Sequence, residues 1–501
     1  MEVPAAYQQL VARAKEITLI RSTSQVLQWD EQTYLPDGAA AFRAEQISYL
    51  EGKAHGLFTE PAVGDWLKAC ENAGFAPDSD EAANIREWRR DYDRLTKLPV
   101  EFVERFELAA AHAREAWKAA RQTDRFADFA PHLQTIVTLS REKADRFGYE
   151  DCRYDALLSQ FEPGAKTAEL RPVFAELREA LVGLVPQIGQ TSNPDPLRAQ
   201  YPIAGQQGFN DAVARAFGYS FAEGRIDTTT HPFATSLGPA DHRITTRYDE
   251  EHFSVSLYGV MHETGHALYE QGLRKEAFGL PVGESVSLGI HESQSRLWEN
   301  HVGRTVGFWR HWYPTAVEHL PELRRFTAEE IAQGLQTVTP SLIRVEADEV
   351  TYDLHILLRF ELETELINGS LAIEDLPARW NETFAELFGI DVPNDRLGVL
   401  QDIHWSMGAV GYFPTYTLGN LNAAQLMDAA EKQVPGLNDA VAAGNYQPLL
   451  NWLRTNVHQP GRKFLPPELM RSTTGEPTNA KYRIAYLRRK YAPSGQVASS
   501  Q

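Results

Sequence analysis

Two cysteines in 501 residues, Cys70 and Cys152, are too few for a disulfide framework, and neither has a second cysteine at metal-ligand spacing. No run approaches the roughly 18 apolar residues of a membrane-crossing helix, and the first residues lack the basic start and apolar run of a secretory leader. Positive charge is also short. Lys and Arg total 49 against 68 Asp and Glu, a net charge of -19, with no basic stripe to neutralise phosphates. These absences argue against a disulfide-stapled module, a membrane protein and a nucleic-acid binder. The expectation is a cytoplasmic protein with no nucleic acid and no membrane among its partners. The acidic surplus serves solubility and, secondarily, favours basic peptides.

What is present can bury a large core: 43% of residues are hydrophobic and 10% aromatic. Residues 5–55, 82–122, 127–147 and 166–190 carry the 3.6-residue apolar period of helices. The pattern changes over 201–253, which has one helical patch near 206–217 followed by Thr-rich segments. There "RITTRY" alternates after Gly238-Pro239 and predicts a short hairpin over 233–248. Helices return at 252–271, ending at Gly272, then at 286–305, 327–337 and 340–367. The last has Thr339 as N-cap, Pro340 at its first position and Gly369 beyond its end. Without repeats or a Gly/Ser/Pro-rich linker, the expected fold is mainly α, one large helical domain over 1–501 with a small antiparallel sheet. Within it, 1–200 form a helical wall and cap region, 201–420 a catalytic core and 421–491 a C-terminal helical part; 492–501 are a mobile tail.

The segment "VMHETGHALYEQG", residues 260–272, carries chemistry. Positions i and i+4 of a helix lie one above the other, so His262 and His266 can aim both imidazoles at a single ion. Glu263, about 60° from His266 around the axis, can reach a water beside that ion without ligating it. Gly259 and Gly265 thin the helix and let another element approach. The alternative is two histidines buried as core. A catalytic zinc takes three protein ligands, and "SLGIHESQSRLWEN" offers Glu292 on the next predicted helix, with His291 as its rival. A Glu on a following helix is the gluzincin arrangement. "ALYEQG" after His266 lacks the third-histidine continuation of metzincins.

Five ordered motifs extend the pattern: His231-Pro232-Phe233, "DHRIT" at 241–245, "HETGH" at 262–266, "HESQS" at 291–295 and "GVLQDIHW" at 398–405. Together with "IRVEADEVTYDLHI" at 343–356 and "VLQWDEQTYLP" at 26–36, they make the chain resemble the carboxypeptidase Taq family of metallopeptidases over nearly its whole length. The resemblance implies an elongated helical enzyme with a deep groove, usually a homodimer, that releases single residues from peptide carboxyl termini with broad specificity. It also implies one Zn2+ per chain, for which Co2+ can substitute. Carried over residue by residue, it makes His262, His266 and Glu292 the ligands and Glu263 the general base.

An oxyanion formed during hydrolysis needs a donor beside the metal, for which His404, Tyr412 and Tyr416 are candidates; each tyrosine could equally be a core ring. A free carboxylate is best gripped by arginine, and Arg344 is the leading candidate, in a helix where Asp348, Tyr352 and His355 follow on one face. That stripe could equally be a polar face or an Arg344–Asp348 ion pair. Arg243 and Arg247, alternating on the predicted strand, are rivals. In the family resembled, His231 and Phe233 shape the substrate groove. Trp29-Asp30 reads as a buried anchor near the groove wall. Competing functions are a metallo-oligopeptidase or dipeptidyl carboxypeptidase, and a non-catalytic peptide-binding scaffold.

Overall fold

The structure is a computed structural model that describes residues 5–188 and 195–492. Of the expected tail, 492–501, all but Ala492 lies outside the described residues. Among them, no helix is long and apolar enough to cross a membrane.

The N-terminal helix Ala5–Thr33 packs on Ala40–Thr59 and on Pro61–Glu71. The continuous period over 5–55 conceals a break at Pro36, where extended backbone (φ -61°, ψ 138°) precedes a short 3-10 turn. The 82–122 stretch likewise splits into Asp80–Thr96 and Val100–Thr123 around Pro99. Proline disfavours helical backbone in the residue before it, so an apolar period can run on while the helix cannot.

Two large apolar clusters divide the interior. One joins the helices between Val100 and Leu184 to Tyr352–Asn368 through residues such as Phe174, Leu177 and Phe360. The other packs Ile203–Phe217, Phe253–Gly272 and the Trp298–Trp312 region together. Helix Pro414–Gln433 belongs to both, giving Leu418 and Leu421 to the first and Ala423 and Leu426 to the second. The motif-bearing helices sit along that seam.

The hairpin forms as predicted: β2 (Ala234–Gly238) pairs antiparallel with β3 (Asp241–Thr246). A third strand, β1 (Ile226–Thr228), pairs parallel with β3, so the order is β1-β3-β2 and the sheet is mixed rather than antiparallel. Three residues are too few to show an alternation in sequence. β3 lies against helix Phe253–Gly272, where a Cβ on Gly259 would stand 3.2 Å from the Thr246 hydroxyl.

The predicted 340–367 helix is half irregular. It begins only at Tyr352 and runs to Asn368, ending at Gly369 with φ 88°. Upstream, the Asp348 carboxylate accepts from the backbone N–H of Thr339, Val350 and Thr351 and from the Thr351 hydroxyl. A side chain that satisfies these donors offers the backbone an alternative to the helix. Arg344 therefore sits in a short 3-10 turn, and its stripe with Asp348, Tyr352 and His355 does not exist.

Candidate active site

Helix Phe253–Gly272 presents His262 and His266 one turn apart, their rings 4.9 Å between centroids. Helix Leu288–Arg296, capped by the Ser287 hydroxyl on Ile290 N–H, brings Glu292 to them. Glu292 Oε2 stands 3.5 Å from His262 Nε2 and 3.5 Å from His266 Nε2, and the three ligand atoms lie within 4.8 Å of one another. Two glycines permit this approach. A Cβ on Gly265 would lie 2.6 Å from the Gln294 carbonyl oxygen, and one on Gly419 would lie 2.4 Å from Glu292 Cγ. Gly265→Ala must push the two ligand helices apart. Its expected cost is about 1–3 kcal/mol of stability together with weaker metal retention, read by thermal unfolding and metal analysis. Wild-type values for both would mean that the contact is not needed.

The surroundings prepare the cluster for a cation. His262 Nδ1 is 3.0 Å from Glu299 Oε2, which fixes the tautomer that leaves Nε2 free. Burial would raise the Glu299 carboxyl, but the hydrogen bond to His262, with Arg296 and Arg304, holds it down to about 2. Glu292 likewise stays well below the ordinary carboxylate range despite burial, because Arg296 and both histidines favour its charge; Arg296 Nε donates to Oε1 at 2.7 Å. Burial, then His291, pushes His266 down to about 3, leaving a neutral imidazole able to ligate. For His262 the field of Glu292 and the bond to Glu299 outweigh burial and raise it, as expected of a site that seeks positive charge. Two imidazole nitrogens and a carboxylate oxygen at this spacing fit a zinc ion with an open fourth position.

His291 is not the third ligand in this geometry. Its Nδ1 faces His266 Nδ1 at 2.5 Å and its Nε2 faces Glu270 Oε1 at 3.0 Å, so it stands behind His266 and away from the cluster. Glu263, only 7% exposed, makes no hydrogen bond or ion pair with the described residues. Burial raises it to about 7, in the range suited to taking and returning a proton.

A second group flanks Glu292. Tyr412 and Tyr416 stand 5.4 Å apart, Tyr412 is 5.5 Å from His404, and Glu292 raises both phenols after burial does. Burial pushes His404 down to about 4, so it is neutral; its Nδ1 has no hydrogen-bond partner. Arg344 is 5% exposed and lies 5.3 Å from the Tyr416 ring. Its partner is Asp402, not Asp348: Nε and Nη2 donate to Asp402 Oδ1 at 3.1 and 2.8 Å, and Nη1 donates to the Tyr352 hydroxyl at 3.0 Å. Three of its five N–H donors are thereby used, leaving two.

The remaining candidates lie on or beside the sheet, and among the described residues none makes a hydrogen bond or ion pair with His262, His266 or Glu292. Arg243 forks onto Asp241 at 2.8 Å through Nε and Nη2 and covers the buried Trp29 ring at 4.2 Å. Arg247 lies past the end of β3 and is exposed, as is His231, while Phe233 joins its backbone to Thr245. Sequence reasoning passed over Glu270, Arg296, Glu299 and Asp402. A signal was available for all four: Glu270 continues the 262, 266 spacing, Arg296 and Glu299 follow Glu292 by four and seven residues, and Asp402 lies within the motif "GVLQDIHW" beside His404.

Residues 9–491 match the family model described as carboxypeptidase Taq (M32) metallopeptidase. The chain is 43% identical to thermostable carboxypeptidase 1 of Thermus thermophilus, covering 98% of this chain and 99% of the relative. Among solved structures, the M32 carboxypeptidase of Deinococcus radiodurans R1 superposes with a TM-score of 0.94 at 38% identity, over 97% of this chain and 99% of that one. Metallocarboxypeptidase 1 of Trypanosoma cruzi does so with a TM-score of 0.93 at 32% identity, over the same shares.

Proposed function

Because the chain belongs to the carboxypeptidase Taq (M32) family of metallopeptidases, we propose that it is a zinc-dependent carboxypeptidase that removes single residues from the carboxyl ends of peptides with broad specificity. The observation that supports this reading best is the convergence of His262, His266 and Glu292 beside a Glu263 carboxyl that no protein group occupies. A zinc ion held by the three ligands would supply Lewis acidity to a water and to the scissile carbonyl. Glu263 takes the water's proton on a carboxylate oxygen and returns it to the leaving amine nitrogen. The phenols of Tyr412 and Tyr416, with neutral His404 beside them, would donate to the oxygen that gains charge, a reading their grouping beside Glu292 supports. Arg344, oriented by Asp402, has two free N–H donors for the terminal carboxylate.

Mass spectrometry of a digested peptide should show a ladder shrinking one residue at a time from the carboxyl end, and amidation of that end should block it. Cleavage that ignores amidation would favour an oligopeptidase, and steps of two residues a dipeptidyl carboxypeptidase. The intact Glu263 weighs against a binding scaffold, which has no use for a base at that position.

A further inference from the structure

Behind His266, starting at His291, a groove runs along the N-terminal helix. A cavity beside His291 is lined by Gln25, Ser236, His242 and Glu270, and the next cavity shares those four residues. That second cavity in turn shares Thr18, Arg21, Gly279 and Glu284 with a third, of about 380 Å³. Gln25, Arg21, Thr18 and Ala14 recur at helical spacing on one face of Ala5–Thr33, so the three cavities form one trough along it.

The far cavity has the opposite charge to the molecule around it. Four cations (Arg21, Arg94, Lys143 and Arg462) and two carboxylates (Asp91 and Glu284) line it, in a chain of net charge -19. Arg462 takes both carboxylates, at 3.2 and 2.7 Å. Arg94 bonds only the Ser159 carbonyl and hydroxyl. The Lys143 ammonium lies over the Phe106 and Phe147 rings at 5.2 and 5.7 Å and has no hydrogen-bond acceptor or ion pair among the described residues; Glu107 acts on it only at a distance. Arg21 is exposed and unpaired among the same residues. Burial, with Arg90 beside it, pushes Arg94 down to about 10 although Asp91 and Glu87 act on it from a distance, and burial pushes Lys143 down to about 8. A half-buried cation in that state is stabilised by an arriving anion.

We propose that this cavity is a subsite for an acidic side chain of the peptide substrate, held by Lys143 and Arg94. The proposal rests on the carboxypeptidase reading, which also sets the direction. Only one residue lies downstream of the cleaved bond, so a trough this long receives the upstream part of the chain. From Gln25 to Ile17 is eight helical residues, about 12 Å, which an extended peptide spans with about four residues. With about one more residue to pass from the cleaved bond beyond His266 to His291, where the trough begins, an Asp or Glu about five residues before the scissile bond reaches the two cations. This selects acidic peptides, against the expectation from overall charge, because the local field of a desolvated cavity outweighs a net charge spread over the surface and screened by salt.

Matched peptides carrying Glu or the isosteric Gln at that position test the proposal. The Glu peptide should have a kcat/KM about five- to tenfold higher at low salt, mainly through KM, and the ratio should shrink in high salt. In Lys143→Gln the ratio should fall toward one, and Lys143→Arg should preserve it. A wild-type ratio near one, a ratio unchanged in Lys143→Gln, or the same preference wherever Glu is placed would each overturn the subsite. So would a melting temperature raised by millimolar inorganic phosphate in the wild type and not in Lys143→Gln, if the peptides showed no preference, since the cavity would then hold a free anion. If the Gln peptide is not trimmed singly from its carboxyl end, the carboxypeptidase reading itself has failed; if it is trimmed and the ratio is one, only the subsite has.

Discussion

Glu263→Gln should lower kcat by roughly 10²- to 10⁴-fold, the usual contribution of a positioned general base, while the chain keeps about one metal ion. The substitution preserves volume and removes only the capacity to accept a proton. Glu263 makes no hydrogen bond or ion pair with the described residues, so its loss frees no buried donor elsewhere. The His262, His266 and Glu292 ligand atoms meet without it. Steady-state kinetics with metal analysis on the same preparation separate the two effects. Activity near wild type would withdraw the base role, and a parallel loss of metal would make Glu263 part of the ligand set.

Glu292→Gln should release the metal. An amide oxygen without charge replaces the only anionic ligand, and activity should fall by about 10³-fold or more as the site empties. The fold should survive, since Arg296 keeps Glu299 at 3.3 Å and the Ser287 cap of the helix is untouched. Dialysis against a chelator followed by metal analysis gives the direct reading. The thermal stabilisation that added zinc confers on the wild type should also be lost, because a ligand stabilises only the state that binds it. Full metal occupancy would transfer the third position to His291, which would have to break its contacts with His266 and Glu270 and turn about.

Sequence and structure agree at the histidine pair and at the hairpin, where the determining contacts are local and no side chain competes with the backbone. The i, i+4 spacing of His262 and His266 and the hairpin turn at Gly238-Pro239 each depend on residues within one helical turn or one tight turn. Gly265 was legible as a thinned position, and a neighbouring backbone lies at 2.6 Å from its would-be Cβ. Local reasoning misled where a side chain competed with the backbone. Asp348, read as part of a helical stripe, instead caps the turn that delays the helix to Tyr352. The Arg344–Asp348 pair was a sound local alternative, displaced by Asp402, 58 residues away.

The sequence by itself determined that a metal-seeking pair with an adjacent carboxyl exists on a helix, and its ordered motifs indicated the family. Those are properties of spacing, which survives without knowledge of the rest of the chain. Only the tertiary structure sets His291 and Glu292 apart in space. The two are adjacent in sequence, but side chains of neighbouring residues on a helix diverge by about 100°. One therefore faces His266 from behind while the other meets the ligand nitrogens. The tertiary structure likewise gathered Arg21, Arg94 and Lys143 from three helices into one cavity whose two carboxylates, Asp91 and Glu284, pair with Arg462 instead. A charge total of -19 cannot reveal that arrangement, because charge pairing depends on distance, and distance between helices is set by packing.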